Sequence, residues 1–235
     1  MAEVYWDLEW TLQQQGFDYT YDKRLYDRLV HGPALPVRQH LLAGLDFQDH
    51  MARFLENHDE PRAAATFNPD IHRAAAVITF LTPGLRFFHQ GQREGKRTRI
   101  PTHLGRGPAE PLDEGIAAFY DDLLTCLKDE AFRNGDWQLL EARPAWEGNE
   151  SNQDFVAFSW SGPGDLRRLV VVNYTGHTSQ CYLRMPWDDL PGWTWRLRDR
   201  LSAAVFDRDG ASLAWQGLYL DLPAWGCHVF EVGSI

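Results

Sequence analysis

The apolar residues of this chain change their period once, in the stretch from Asp129 to Gly135, and that change limits the folds open to it. Before it, short apolar runs alternate with stretches of helical spacing, strand then helix four times over. After it come only short runs of period two, separated by turn clusters such as Gly162-Pro163-Gly164-Asp165, Pro191-Gly192 and Asp207-Arg208-Asp209-Gly210. Alternation of strand and helix builds a parallel sheet covered by helices, whereas evenly spaced alternating runs build an antiparallel sandwich. The pattern predicts an α/β unit over residues 1–130 followed by an all-β unit over 131–235. With 235 residues, 44% hydrophobic and 13% aromatic, the chain has the apolar surface for both cores.

Within the first unit the spacing predicts strands over 1–4, 17–21, 51–56 and 85–89. Leu8, Glu9, Leu12 and Gln13 share one helical face, and Gly16 follows where a helix end wants a residue free to take positive φ. Asp22 and Asn68 are N-caps, the latter followed by Pro69, and Pro36 opens a further helix to Leu42. Residues 90–113 carry no apolar period and read as a long loop, in which Arg93, Lys96, Arg97, Arg99 and Arg106 form a solvated or ion-paired run. Asp113-Glu114 then start a helix to Lys128. In the second unit, strands are expected over 137–142, 155–160, 169–174, 181–185, 194–198, 218–222 and 228–232.

Charge and composition exclude several classes. A formal net charge of −10 with pI near 5.3 opposes nucleic acid and anionic membrane, while a neutral ligand meets no penalty. Cys126, Cys181 and Cys227 are odd in number and widely spaced, against a disulfide framework and a structural zinc site and in mild favour of a reducing compartment. No apolar run of membrane-spanning length and no secretory signal is present. The nine histidines show no HExxH spacing, so no metal site is assigned, and Ser159-Trp160-Ser161-Gly162 is not a nucleophile elbow.

The stretch that carries chemistry is Phe54-Leu55-Glu56-Asn57-His58-Asp59-Glu60-Pro61-Arg62, where a strand ends abruptly in histidine and carboxylates. Asn57-His58-Asp59 after an aromatic-aliphatic strand and before Pro61-Arg62 resembles the fourth signature of the alpha-amylase superfamily, glycoside hydrolase family 13. Ala2-Glu3-Val4-Tyr5-Trp6 is similar to the third signature, and Gly84-Leu85-Arg86-Phe87-Phe88-His89-Gln90-Gly91-Gln92 looks like the eighth strand. Four strand–helix units cannot close a barrel, which needs eight strands. The resemblance implies that residues 1–130 are strands 5–8 of a (β/α)8 TIM barrel, followed by an antiparallel β-sandwich, domain C. It also implies that the natural chain extends before Met1 into a missing N-terminal half.

By the same resemblance, Glu3 is the general acid/base, Asp59 the acidic residue that holds sugar hydroxyls as oxocarbenium character develops, and His58 a histidine bonded to the sugar. Arg62 is grouped with the substrate-binding residues, and Trp6 either stacks on a pyranose face or packs at a helix start. An apolar setting and nearby like charges are expected to keep Glu3 protonated. The Gly-Phe-Arg-x-Asp signature that bears the nucleophile is absent from residues 1–235, as is the inserted domain that supplies the family's calcium site. The expectation is a fragment of a retaining alpha-glycosidase for alpha-glucans or oligosaccharides, with no cofactor in this chain, calcium belonging to the missing half, and no activity alone. A transglycosylase of the same superfamily is the alternative. Eight of the ten tryptophans follow Asp136, so a non-catalytic glycan-binding remnant is also open, against the plainer reading that they fill a sandwich core.

Overall fold

The computed structural model describes residues 1–5 and 7–235. They form two compact units, 1–121 and 122–235, and the division falls inside a helix rather than at 130/131.

The first unit contains β1 (Thr20–Tyr21), β2 (Met51–Arg53) and β3 (Leu85–Arg86). Its helices are α1 (Glu9–Gln14), α2 (Lys23–His31), α3 (Ala34–His40), α4 (Leu45–Gln48), α5 (Ala63–Thr66) and α6 (Pro69–Leu81), with α7 (Glu114–Cys126) running on into the second unit. The sheet order is β1-β2-β3 with both pairs parallel, and Ala2 adds a parallel bridge to Thr20. Four successive chain segments therefore lie side by side in chain order, the arrangement that strand–helix alternation demands. The strands are shorter than their apolar runs because the parallel ladder stops at Tyr21↔Ala52 and Arg53↔Arg86, after which the backbone leaves the sheet. The caps fall where expected: Asp22 accepts from Leu25 N at 3.0 Å, Asn68 from Ile71 N at 3.0 Å and Asp113 from Ile116 N at 3.0 Å. The helix through Pro36 begins two residues earlier, at Ala34, because a first-turn proline gives up only an N–H that has no helical partner. Helices α4 and α5, four residues each, are too short to show a period in the sequence.

Pleating sorts the sheet's side chains. Tyr21, Ala52, Phe54, Leu85 and Phe87 gather on one face with Tyr5 and Tyr26 in an aromatic cluster. Arg53, on the opposite pleat, is fully buried. Its Nε donates to Pro83 O at 3.0 Å, its Nη2 to Gln48 Oε1 at 3.1 Å, and its Nη1 pairs with the equally buried Asp22, which His40 Nε2 also reaches at 2.9 Å. Burial alone would raise the Asp22 carboxyl, but His40 and Arg53 outweigh it and hold it well below the usual carboxylate range. Because the folded state depresses this pKa, its contribution is complete above the unfolded value near ~4 and is lost as pH falls through the folded one. We expect Arg53→Met, which leaves Asp22 buried without its guanidinium, to cost about 3–5 kcal/mol in urea unfolding. Asp22→Asn should flatten the acid limb of stability below about pH 4. An unchanged acid limb would show that the pair does not contribute.

The second unit contains α8 (Glu130–Asn134), α9 (Gly210–Trp215) and β4 (Asp136–Leu139), β5 (Ala142–Pro144), β6 (Phe155–Gly162), β7 (Leu166–Asn173), β8 (Ser179–Leu183), β9 (Thr194–Asp199), β10 (Val205–Asp209), β11 (Leu218–Leu222) and β12 (Cys227–Ser234). Two antiparallel sheets, β10-β9-β12-β7-β6-β4 and β11-β8-β5, share one core. Every second residue enters it: Phe155 and Ala157, Leu169 and Val171, Phe230 and Val232 from one sheet meet Cys181 and Leu183, Leu218 and Leu220 from the other.

Four expectations change here. The run 137–142 splits into β4 and β5 because the chain crosses between sheets: Leu140 N still bonds Ala157 O on β6 at 2.9 Å, while Glu141 O already accepts from Arg184 N, just past β8, at 3.1 Å. The cluster Asp207-Arg208-Asp209-Gly210, read as a turn, instead ends β10 and starts α9. Arg196 on β9 grips Asp207 through two 2.8 Å hydrogen bonds, and Asp209 caps α9 by accepting from Ser212 N at 2.8 Å. The stretch around Asp129 to Gly135 holds α8, capped by Asp129. The tryptophans after Asp136 divide: Trp195 enters the shared core, Trp187 packs against it and Trp160 is buried, whereas Trp146, Trp193 and Trp215 are exposed. All three cysteines are free, and burial pushes the Cys126 and Cys181 thiols up to about 11 and about 12.

Candidate active site

The site is built where two parallel segments end. Backbone bonds from Ala2 N to Tyr19 O at 2.7 Å and from Tyr21 N to Ala2 O at 3.2 Å fix the first segment beside β1, so Glu3 and Tyr5 project from one side of it while Ala2 and Val4 are buried on the other. Beyond β2, Phe54 to Asn57 stay buried, and the chain then folds over the Asn57 side chain. Its Oδ1 accepts from Asp59 N at 2.9 Å and Glu60 N at 2.8 Å, an Asx turn that pushes His58 and Asp59 outward.

These two devices bring Glu3, His58 and Asp59 together, each offering a ligand or proton-transfer atom within 4.8 Å of the others. His58 Nε2 lies 3.3 Å from Asp59 Oδ2 and 3.7 Å from Glu3 Oε1, and all three side chains are between 37% and 53% exposed, so a ligand can reach them. Tyr5 OH donates to Glu3 Oε1 at 2.9 Å. Burial first and this bond second push the Tyr5 phenol far above its ordinary value, so at neutral pH it remains a donor. Glu3 is thus not enclosed in the apolar setting expected of it: it lies open, with a phenol on one oxygen. A cleft of about 440 Å³ lined by Tyr5, Lys23, Arg24, Asp27, Asp59 and Glu60 adjoins the group. The trio offers two carboxylates and one imidazole, fewer oxygens than calcium takes.

Arg62 lies elsewhere in the design. It is buried, with Nη1 2.5 Å from Glu56 Oε1 and donating to Gln90 O at 2.8 Å, while Nε donates to Thr98 O at 3.3 Å. Glu56 Oε2 accepts from Ala63 N at 2.7 Å, and His89 Nδ1 lies 3.1 Å from Oε1. Arg62 therefore ties both ends of the Asn57-His58-Asp59 turn to the segment after β3. Arg62→Met should cost about 3–5 kcal/mol in urea unfolding, since it strands a buried carboxylate; a change in substrate KM with stability intact would instead make it a sugar contact. Trp6 lies outside the described residues.

Two neighbours escaped the sequence reading. Tyr5 sits two residues from Glu3 on an extended segment, so period two could have placed it on the same side. Arg99, part of the run read as a solvated loop, donates to His58 O at 3.3 Å and brings Nη2 to 3.9 Å from Asp59 Oδ1. A loop without period gives no signal for that. Arg93 in the same run is ion-paired, gripping Asp121 at 2.7 and 2.6 Å.

No protein-family model and no curated protein matches the sequence. Solved structures do match. A maltogenic alpha-amylase from Thermotoga neapolitana aligns over 94% of this chain and 52% of its own, at 17% identity and TM-score 0.73. A debranching enzyme from Nostoc punctiforme aligns over 97% of this chain and 49% of its own, at 18% identity and TM-score 0.65. The trehalulose synthase of Pseudomonas mesoacidophila aligns over 92% of this chain and 51% of its own, at 16% identity and TM-score 0.56. The chain thus has the fold of alpha-amylase-type enzymes and spans about half the length of those structures.

Proposed function

We propose that this chain is the acid/base half of a retaining alpha-glycosidase acting on alpha-glucans or maltooligosaccharides. Residues 1–121 correspond to the fifth through eighth strand–helix units of a (β/α)8 barrel and the second unit to domain C, while the nucleophile comes from polypeptide outside residues 1–235. The observation that carries this reading is the convergence of Glu3, His58 and Asp59 within 4.8 Å, beside strand ends of a parallel sheet. The fold of half an alpha-amylase-type chain supports it. Barrel enzymes keep their chemistry at the carboxyl ends of the strands.

In this reading Glu3 gives its proton to the glycosidic oxygen as the bond to C1 breaks, and a carboxylate about 5–5.5 Å away attacks C1. The Tyr5 phenol occupies Glu3 Oε1 and leaves Oε2 for the proton. Asp59 and His58 hold sugar hydroxyls, and the carboxylate of Asp59 gains most as positive charge develops on the ring. In the second step ionised Glu3 takes a proton from water, whose oxygen attacks C1 and releases the nucleophile. A sugar hydroxyl in place of that water gives transglycosylation, an alternative that the likeness to a trehalulose synthase supports. The test is NMR of the anomer first released from maltooligosaccharides by the assembled enzyme. The α-anomer is expected, and first appearance of the β-anomer would contradict a retaining site.

A further inference from the structure

We infer that the sandwich unit carries a binding site for a neutral oligosaccharide, centred on Trp193 and separate from the Glu3 group. The site is a cleft of about 450 Å³ lined by Asp165, Arg167, Asp189, Trp193, Trp195 and Ser234 among others, a size suited to a few sugar rings. Its elements are chemically distinct. Trp193 is 58% exposed, an open aromatic face beside a concavity. Its backbone is nevertheless fixed: Trp193 O accepts from Gly210 N at 2.8 Å, and a Cβ on Gly210 would come within 2.7 Å of that oxygen, so the start of α9 packs directly against it. A rigid backbone carrying an outward ring loses little entropy when it stacks on a ligand.

Arg167 forms the polar side. Its guanidinium lies over the buried Trp195 ring at 4.6 Å and 5.3 Å from the Trp187 centroid, which fixes its plane. Nη2 donates to Asp189 Oδ2 at 2.5 Å, and Nη1, although buried, has no hydrogen-bond partner. Asp189 is largely exposed and keeps acceptor capacity beside it. An aromatic face next to a guanidinium–carboxylate pair matches a pyranose, which offers an apolar C–H face and vicinal hydroxyls that both donate and accept. Two carboxylates, Asp165 and Asp189, against one guanidinium, on a chain of net charge −10, disfavour an anionic ligand. This inference does not rest on the reading of Glu3.

The test is isothermal titration of the full chain with maltoheptaose and, separately, cellohexaose. Binding of at least one is expected, with Trp193→Ala raising Kd by about tenfold or more and Trp193→Tyr, which keeps a ring, by no more than about threefold. Trp215→Ala, which removes an exposed ring outside the cleft, should leave Kd unchanged. No binding of either sugar at tens of millimolar, or binding insensitive to Trp193→Ala, would overturn the site. Absence of glycosidase turnover would leave it standing.

Discussion

Glu3→Gln in the assembled enzyme is expected to lower kcat/KM on maltooligosaccharides by about 10²–10⁴-fold while changing kcat/KM for activated aryl glycosides far less. An alkoxide leaving group must be protonated as it departs, and Gln has no proton to give; a nitrophenolate leaves without one. The geometry sharpens the expectation. Tyr5 OH is 2.9 Å from Glu3 Oε1 and would hold the glutamine carbonyl in the same place, so the variant removes the proton without moving the group. Hydrolysis of the aryl substrate should then become limited by the second step, in which the base is also missing, and added azide should rescue it by attacking C1 without needing deprotonation. Equal loss on both substrates would remove the acid assignment.

Asp59→Asn should lower kcat by several orders of magnitude while leaving the fold and ground-state sugar binding nearly intact. The Asx turn explains why the fold survives: Asp59 is held by its backbone N–H on Asn57 Oδ1, not by its side chain, which is 53% exposed. Its carboxylate, paired with His58 at 3.3 Å and near Arg99 at 3.9 Å, can act on charge that develops only in the transition state, and such interactions appear in kcat rather than in binding. A change within tenfold, about 1.4 kcal/mol, would make the residue structural.

Much of this architecture is legible in the sequence because it depends on local patterns. Parallel order follows from the alternation of period before Asp129, and the caps Asp22, Asn68 and Asp113 are local hydrogen-bond chemistry. The closeness of Glu3 to Asp59 is not local: 56 residues separate them, and only the family resemblance suggested that they meet. What stayed hidden has physical causes of three kinds. The pair Arg53–Asp22 joins a strand residue to the N-cap of α2, and no sequence pattern says which charge a buried guanidinium will find. Arg62 adjoins the Asn57-His58-Asp59 stretch that resembles a family signature, yet burial against Glu56 sets its surroundings. β10 is an edge strand whose Phe206 packs on the shared core while Asp207, Arg208 and Asp209 are charged, and its ladder with β9 is also supported by the cross-strand pair Arg196–Asp207.

The separation of Glu3 and Asp59, under 5 Å, approaches the spacing of a retaining carboxylate pair, so the role of Asp59 and the origin of the nucleophile stand or fall together. The direct measurement is turnover of maltooligosaccharides by purified residues 1–235, alone and after mixing with a separately expressed polypeptide carrying the first four strand–helix units and a Gly-Phe-Arg-x-Asp segment. The account predicts no turnover alone, turnover on mixing, and its loss in Asp59→Asn. Turnover by residues 1–235 alone, or none with the companion polypeptide under conditions where light scattering shows the complex, would contradict it.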